Sequence, residues 1–219
     1  MLLALGIAYG LLVVVAAIFQ RRLIYFPRTI PPELAEPAAA SNGLVPWRNP
    51  AGQIIGWKLP AASAPTASVL IAHGNAGCAI DRGYLAGPIH DAAAVDVYVL
   101  EYPGYGARGG LPGKQVFFAA GEEAFGLMPN GRPKYLVRFH PAADLGKYQG
   151  PVKMVIAGAD EIIPPMSGQK LFAEYHGPKD LQVISGARHN DVAAQSPDWW
   201  RQTFSFWRQN HPANPGRSP

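Results

Sequence analysis

From Ala67 onward the chain alternates between short apolar runs and stretches long enough for helices, and this alternation restricts its possible folds more than any other feature. Ala67–Ala72 (ASVLIA), Val95–Glu101 (VDVYVLE), Lys134–Val137 (KYLV), Val152–Ala157 (VKMVIA) and Leu181–Ser185 read as strands. Helical stretches lie between and after them, at Ile80–Ala94, Lys114–Met128, Ser167–Tyr175 and Asp191–Gln209, the last amphipathic and rich in Trp. Strand and helix in alternation imply a mostly parallel sheet with helices on both faces, an α/β fold. Ahead of it, Leu44–Trp47 and Ile54–Leu59 flank Asn49-Pro50-Ala51-Gly52, a hairpin pattern. No internal repeat is present.

The N-terminus is a separate matter. Met1 to Phe19 carry no charge and are dominated by Leu, Val, Ile and Ala, before Gln20-Arg21-Arg22 ends the run. About 20 apolar residues span a bilayer core as a helix. A cleaved signal peptide would carry a basic leading region and a small-x-small cleavage site. No Lys or Arg precedes this run, and Ile18-Phe19-Gln20 is a poor cleavage context, so a retained single-pass anchor is expected. An unbroken apolar run is also too one-sided for an amphipathic surface helix. By the positive-inside rule, Arg21, Arg22 and Arg28 keep the following domain on the cytoplasmic side. The organisation expected is an anchor over 1–20, a connector over 21–43, one α/β domain over 44–210, and a flexible tail over 211–219.

Composition excludes several functions. With 48% apolar and 16% charged residues, the 219-residue chain is neither disordered nor fibrous. Its formal charge of +4 comes from scattered single Lys and Arg, the tightest pair being Arg21-Arg22 beside the apolar run, so no nucleic-acid footprint exists. Cys78 is the only cysteine, which rules out an intramolecular disulfide and a cysteine metal cage. The six histidines lack a ligand spacing such as H-x-x-x-H, so no metal is expected. No cofactor is expected either.

In parallel sheets the site lies beyond the carboxyl ends of the strands. His73-Gly74-Asn75, Asp160 and His189 all follow strands. Acyl transfer needs a nucleophile, a base, an acid that orients the base, and donors for the oxyanion. Asp160 after one strand and His189 after the next suit the acid and the base in the order Ser, Asp, His.

Five motifs in family order carry a resemblance. They are Arg22-Leu23-Ile24-Tyr25-Phe26-Pro27 after the anchor, HGNAG at His73–Gly77, EYPGYG at Glu101–Gly106, GADEIIP at Gly158–Pro164 and GARHND at Gly186–Asp191. Together they make the sequence similar to the membrane-anchored branch of the α/β-hydrolase superfamily, with serine-aminopeptidase-like, esterase and depalmitoylase-like relatives. The resemblance implies hydrolysis of an ester, thioester or amide in a small acyl-type substrate. It makes Asp160 the triad acid and His189 the base. The backbone N–H groups of Asn75 and Ala76 become oxyanion donors. Taken on their own, His73 reads as a structural hydrogen-bonding residue, Tyr102 and Tyr105 as loop packing, and Trp199, Trp200 and Trp207 as core on the last helix.

The departure is in the nucleophile. The family's serine stands in a G-x-S-x-G elbow after the third strand. No such frame, nor the same frame with Cys or Asp at its centre, occurs in this chain. Lys134–Val137 runs through Arg138-Phe139-His140-Pro141 straight into Ala142–Tyr148, which resembles the segment just before the acid strand. The nucleophile is therefore unassigned, and the sheet is expected to be shortened by about one strand–helix unit, with Val152–Ala157 placed to pair directly beside Lys134–Val137. Cys78, at a helix start, and Ser167, read as a helix cap, are weak substitutes. The alternative function is a non-catalytic, membrane-anchored binding or scaffold module on the same fold.

Overall fold

A computed structural model of the chain describes residues 2–138, 149–193 and 195–210. The segment Phe139–Tyr148, on which the missing-elbow reading turns, and the tail 211–219 lie outside the described residues. The chain divides into two compact units, one made of Met1–Gly83 with Val95–Arg138 and the other of Tyr84–Ala94 with Phe139–Pro219. The expected domain over 44–210 is thus shared between two units.

In chain order the elements up to residue 138 are α1 (Leu2–Ile24), β1 (Phe26–Pro27), α2 (Pro32–Ala40), β2 (Val45–Arg48), β3 (Ile54–Leu59), β4 (Ala67–Ala72), β5 (Ala76–Gly77), a 3-10 turn at Ala79–Arg82, α3 (Gly83–Ala92), β6 (Val95–Leu100), α4 (Lys114–Leu127) and β7 (Lys134–Arg138). All but α3 belong to the first unit. A five-stranded sheet runs in the order β2-β3-β6-β4-β7, with β6, β4 and β7 parallel and the β2–β3 hairpin antiparallel on one side. The expected hairpin is there, closed by Asn49, whose Oδ1 accepts the Ala51 and Gln53 N–H groups.

Strands β4 and β6 are buried at every position, as their apolar runs require. Their cover on one face is α4, whose small Ala120 and Ala124 let it approach a cluster of Trp47, Ile55, Leu70, Tyr98 and Leu100. Strand β3 runs close to β6. A Cβ on Gly56 would stand 2.3 Å from the Val99 carbonyl oxygen, so only glycine fits there. Asp96, buried on β6, is held by Lys58 Nζ at 3.1 Å, by the Arg132 guanidinium and by the Ala61 N–H. Desolvation pushes its carboxyl up, but these three partners outweigh it and keep it below the ordinary value.

The connector expected over 21–43 is structured. Helix α1 continues to Ile24, and α2 occupies Pro32–Ala40, with Pro32 opening it where a missing N–H costs nothing. Between them β1 pairs with β5, and the bonds extend on both sides. The Phe26 N–H donates to the Asn75 carbonyl, Arg28 to Gly77, Ile30 to Gly106, and Gly106 back to Arg28. Helix α1 itself is long and apolar enough to cross a membrane, and its side chains from Leu5 to Ile24 are exposed.

The second unit contains α3, β8 (Val152–Ala157), α5 (Pro165–Glu174), β9 (Lys179–Ile184), a 3-10 turn at Asp191–Ala193 and α6 (Pro197–Asn210). Strands β8 and β9 are parallel over six residue pairs and form a sheet of their own. This corrects the expected direct pairing of Val152–Ala157 with Lys134–Val137. Among the described residues β8 pairs with β9 and β7 with β4, and no pairing of β8 with β7 occurs. On α6, Trp200 and Trp207 are buried as expected, in ring contact with Phe204, whereas Trp199 is half-buried and donates to the Gln182 side chain.

Candidate active site

Strands β8 and β9 end side by side, and the two predicted residues follow them. The Gly158 N–H donates to the Ile184 carbonyl and the Ala159 N–H to the Ala187 carbonyl, both at 2.9 Å. This close approach needs glycine, because a Cβ on Gly158 would lie 2.7 Å from Ser185 Cα and 2.9 Å from its carbonyl oxygen. The loops so fastened bring Asp160 to His189, with Oδ2 at 2.9 Å from Nδ1. The other carboxylate oxygen, Oδ1, accepts the N–H groups of Ile162 and Ile163 at 2.8 Å each. On the His189 side, Asp191 accepts the Arg188 N–H and returns its own N–H to the Arg188 carbonyl, closing a tight turn around the imidazole.

The chemistry of this pair follows from its bonds. A carboxylate accepting at Oδ2 fixes the proton of His189 on Nδ1 and leaves Nε2 as the basic nitrogen. Nε2 has no partner among the described residues, and the side chain is about one-third exposed. Desolvation pushes the Asp160 carboxyl up. The Ile163 N–H, His189 and the Ile162 N–H together outweigh it and hold the carboxyl below its ordinary value of 3.8. A depressed carboxyl stabilises the fold fully above its ordinary value, and that stability is lost as pH falls through the lowered one. Asp160→Asn is therefore expected to flatten the acid side of the stability profile. Urea midpoints taken between about pH 6 and about pH 3 should fall less steeply in the variant than in the parent, and equal slopes would refute the assignment.

Asn75 and Ala76 belong to the first unit, in the loop after β4 and in β5. The Asn75 backbone N–H has no acceptor among the described residues, while its carbonyl and side chain are fully engaged. The carbonyl accepts from the Phe26 N–H, Nδ2 donates to the last carbonyl of α1 at Ile24, and the Tyr105 hydroxyl lies 2.9 Å from the carbonyl and 3.1 Å from Oδ1. Burial pushes the Tyr105 hydroxyl up to about 12, so it stays a neutral donor. His73 is buried, with Nδ1 2.7 Å from the Gly74 carbonyl and its ring against Tyr102 and Tyr105, which fits a structural role.

Sequence reasoning gave Glu101 no role beyond its place in a motif. It is almost completely buried, accepts the Ala79 N–H at 3.0 Å and lies 3.6 Å from His73 Nε2. Gly106 leaves it room, since a Cβ there would meet Glu101 Oε2 at 2.1 Å. A charged residue ending a buried strand was the available signal.

Cys78 is unsuited to the nucleophile's task. Cys78 is fully buried, and desolvation, Glu101 and Asp81 push its thiol up to about 12, far from the thiolate that attacks. Ser167 is not a cap, because Pro164 holds that position and Ser167 lies within the first turn of α5. Among the described residues, no group of three or more His, Cys, Asp or Glu could hold a metal ion.

No protein-family model matches the chain. Two uncharacterized proteins of Mycobacterium tuberculosis, from strains CDC 1551 / Oshkosh and ATCC 25618 / H37Rv, are each 26% identical to it, covering 78% of this chain and 81% of the relative. Each alignment runs over 228 positions while drawing on 78% of a 219-residue chain, so these relatives carry residues within the matched region that this chain lacks. Among solved structures, an α/β serine hydrolase homologue from Coxiella burnetii matches with a TM-score of 0.56 at 13% identity, over 73% of this chain and 96% of that one. A cold-adapted esterase from an Arctic intertidal metagenomic library matches with a TM-score of 0.51 at 17% identity, over 77% and 93%. The fold is α/β-hydrolase-like.

Proposed function

We propose that this chain is a membrane-anchored protein on the α/β-hydrolase fold whose Asp160–His189 pair is the acid and base of a machinery for hydrolysing esters, thioesters or amides, with the segment bearing its nucleophile absent. The observation that carries this reading is the 2.9 Å contact between Asp160 Oδ2 and His189 Nδ1, with Nε2 unpartnered. An acid that orients a histidine is the arrangement that prepares a base to take a proton from a hydroxyl. The residues missing relative to the mycobacterial proteins support an internal shortening. In the same reading the Asn75 and Ala76 N–H groups serve as oxyanion donors, and α1 is the anchor.

Without a nucleophile the pair can act only as a general base on water, which leaves a residue of the catalysis a full triad supplies. The absence of any G-x-S-x-G favours, as second reading, a binding or scaffold module on the same fold. Fluorophosphonate labelling of the folded chain, read by intact mass beside His189→Ala, separates the two. No adduct is expected. A single adduct that vanishes in His189→Ala would overturn the nucleophile-free reading, and its position would identify a replacement serine.

A further inference from the structure

We propose that the loop Gly109–Gly113 and the first turn of α4 lie in the headgroup layer of a bilayer, as a second membrane contact beside α1; this rests on the anchor reading above. Leu5–Ile24 is 20 residues, and at 1.5 Å per residue that is ~30 Å, the thickness of a hydrocarbon core. With Arg21 and Arg22, the cations of its last turn, at headgroup level, the residue that follows the helix also stands in the headgroup layer, where tyrosine and tryptophan are favoured. That residue is Tyr25.

Tyr25 has no freedom to carry the domain away from the surface. Its backbone N–H still bonds to the Arg21 carbonyl, and β1 begins one residue later, paired to β5. Its ring packs edge-on against Phe117 of α4 at 5.3 Å, and Phe117 stacks on Tyr102 at 4.2 Å. Headgroups add roughly 5–7 Å on each side of the core. A residue whose ring is 5.3 Å from Tyr25 is therefore at the same depth to within that layer.

The surface beside Phe117 has the composition such a position requires. Leu111 is 65% exposed, Val116 is 39% exposed, and Phe26 next to Tyr25 is 60% exposed. Leu111 and Val116 flank the start of α4, the helix whose Phe117 meets Tyr25, and exposed large apolar side chains in such a position suit an interaction surface. Lys114 lies between Leu111 and Val116, and Arg21 and Arg22 precede Tyr25; all three are exposed, matching the negative surface of a bilayer that contains anionic lipid. Apolar residues facing the acyl boundary with cations at headgroup level are the pattern of interfacial membrane binding.

The test uses the full chain in phosphatidylcholine vesicles containing phosphatidylglycerol, with an environment-sensitive fluorophore on single introduced cysteines. Cys78 is buried and its thiol is pushed up to about 12, so it does not compete for label. Leu111→Cys and Val116→Cys report the proposed contact. Phe19→Cys reports the span itself, and Ser63→Cys, in the exposed loop leading into β4, reports the opposite end of the parallel strands. With lipids brominated near the carbonyl end of their chains, labels at 111 and 116 are expected to shift to the blue and lose most of their emission, while the label at 63 is unchanged. Quenching at 19 with 111 and 116 behaving like 63 would overturn the contact and leave the anchor standing. No quenching at 19 would overturn the anchor, and the contact with it.

Discussion

Gly158→Ala is expected to take Asp160 and His189 apart. The added methyl would be built 2.7 Å from the Cα of Ser185, 2.9 Å from its carbonyl oxygen and 3.0 Å from the Ile184 carbonyl oxygen. All three are backbone atoms of the segment leaving β9, so no side chain can swing away to make room. One of the two strand ends has to move, and the bonds from Gly158 to Ile184 and from Ala159 to Ala187 stretch with it. Overpacking of this kind costs on the order of 1–3 kcal/mol, a large part of a typical domain's stability. The dyad should register it first, because a shift of about 1 Å is enough to break a hydrogen bond of normal length. In proton NMR the imidazole N–H of His189, bonded to Asp160 in the parent, is expected to be visible there and to vanish into exchange with water in the variant. Gly186→Ala supplies the control, since a methyl there meets nothing within 4 Å and the signal should persist. A Gly158→Ala protein that keeps both its stability and that resonance would show that the two loops do not position the pair.

Gly56→Ala should be at least as damaging, at the other end of the chain. The methyl would face the Val99 carbonyl oxygen at 2.3 Å, inside the β3–β6 ladder where Gly56 is paired with Leu100. Backbone on one side and the Trp47 ring on the other close the space, the latter at 3.2 Å. Relief requires β3 to lift off β6, which uncovers a core containing Trp47, Ile55 and Tyr98. A loss of about 3 kcal/mol or more is expected in chemical denaturation. The comparison that makes this specific is Gly121→Ala in α4, where a methyl has open space and the helix gains by roughly 0.5–1 kcal/mol. The same substitution should thus move the denaturation midpoint in opposite directions at the two sites. If both moved it the same way, the close approach of β3 and β6 would be wrong.

These two glycines also show how far the sequence could be read. Strands such as Ala67–Ala72 and Val152–Ala157 match to the residue, because an apolar run of strand length has one interpretation inside an alternating pattern. Asp160 and His189 were legible because each follows such a strand, and their contact needed only that the strands be neighbours. Gly56 and Gly158 were not legible in their role. A single glycine inside or after a strand says that something comes close, without saying what. Glu101 was hidden for a similar reason, as its partners Ala79 and His73 are 22 and 28 residues away and neither spacing belongs to a motif. The order within the connector is the clearest case. Tyr25–Ile30 has no periodicity, and its order comes from β5 and from Gly106, which no local signal could supply.

That last feature bears on how the protein can be cut down for work in solution. A trimmed version that starts after the first proline cluster, near Pro31, looks reasonable on hydropathy, yet it discards a strand. Gone would be the donors to the carbonyls of Asn75, Gly77 and Gly106, and the Tyr25 ring that lies against Phe117. Starting at Arg21 instead keeps every one of them, together with the Ile24 carbonyl that holds the Asn75 side chain. Ten residues at the front edge decide whether the loop after β4 keeps its shape.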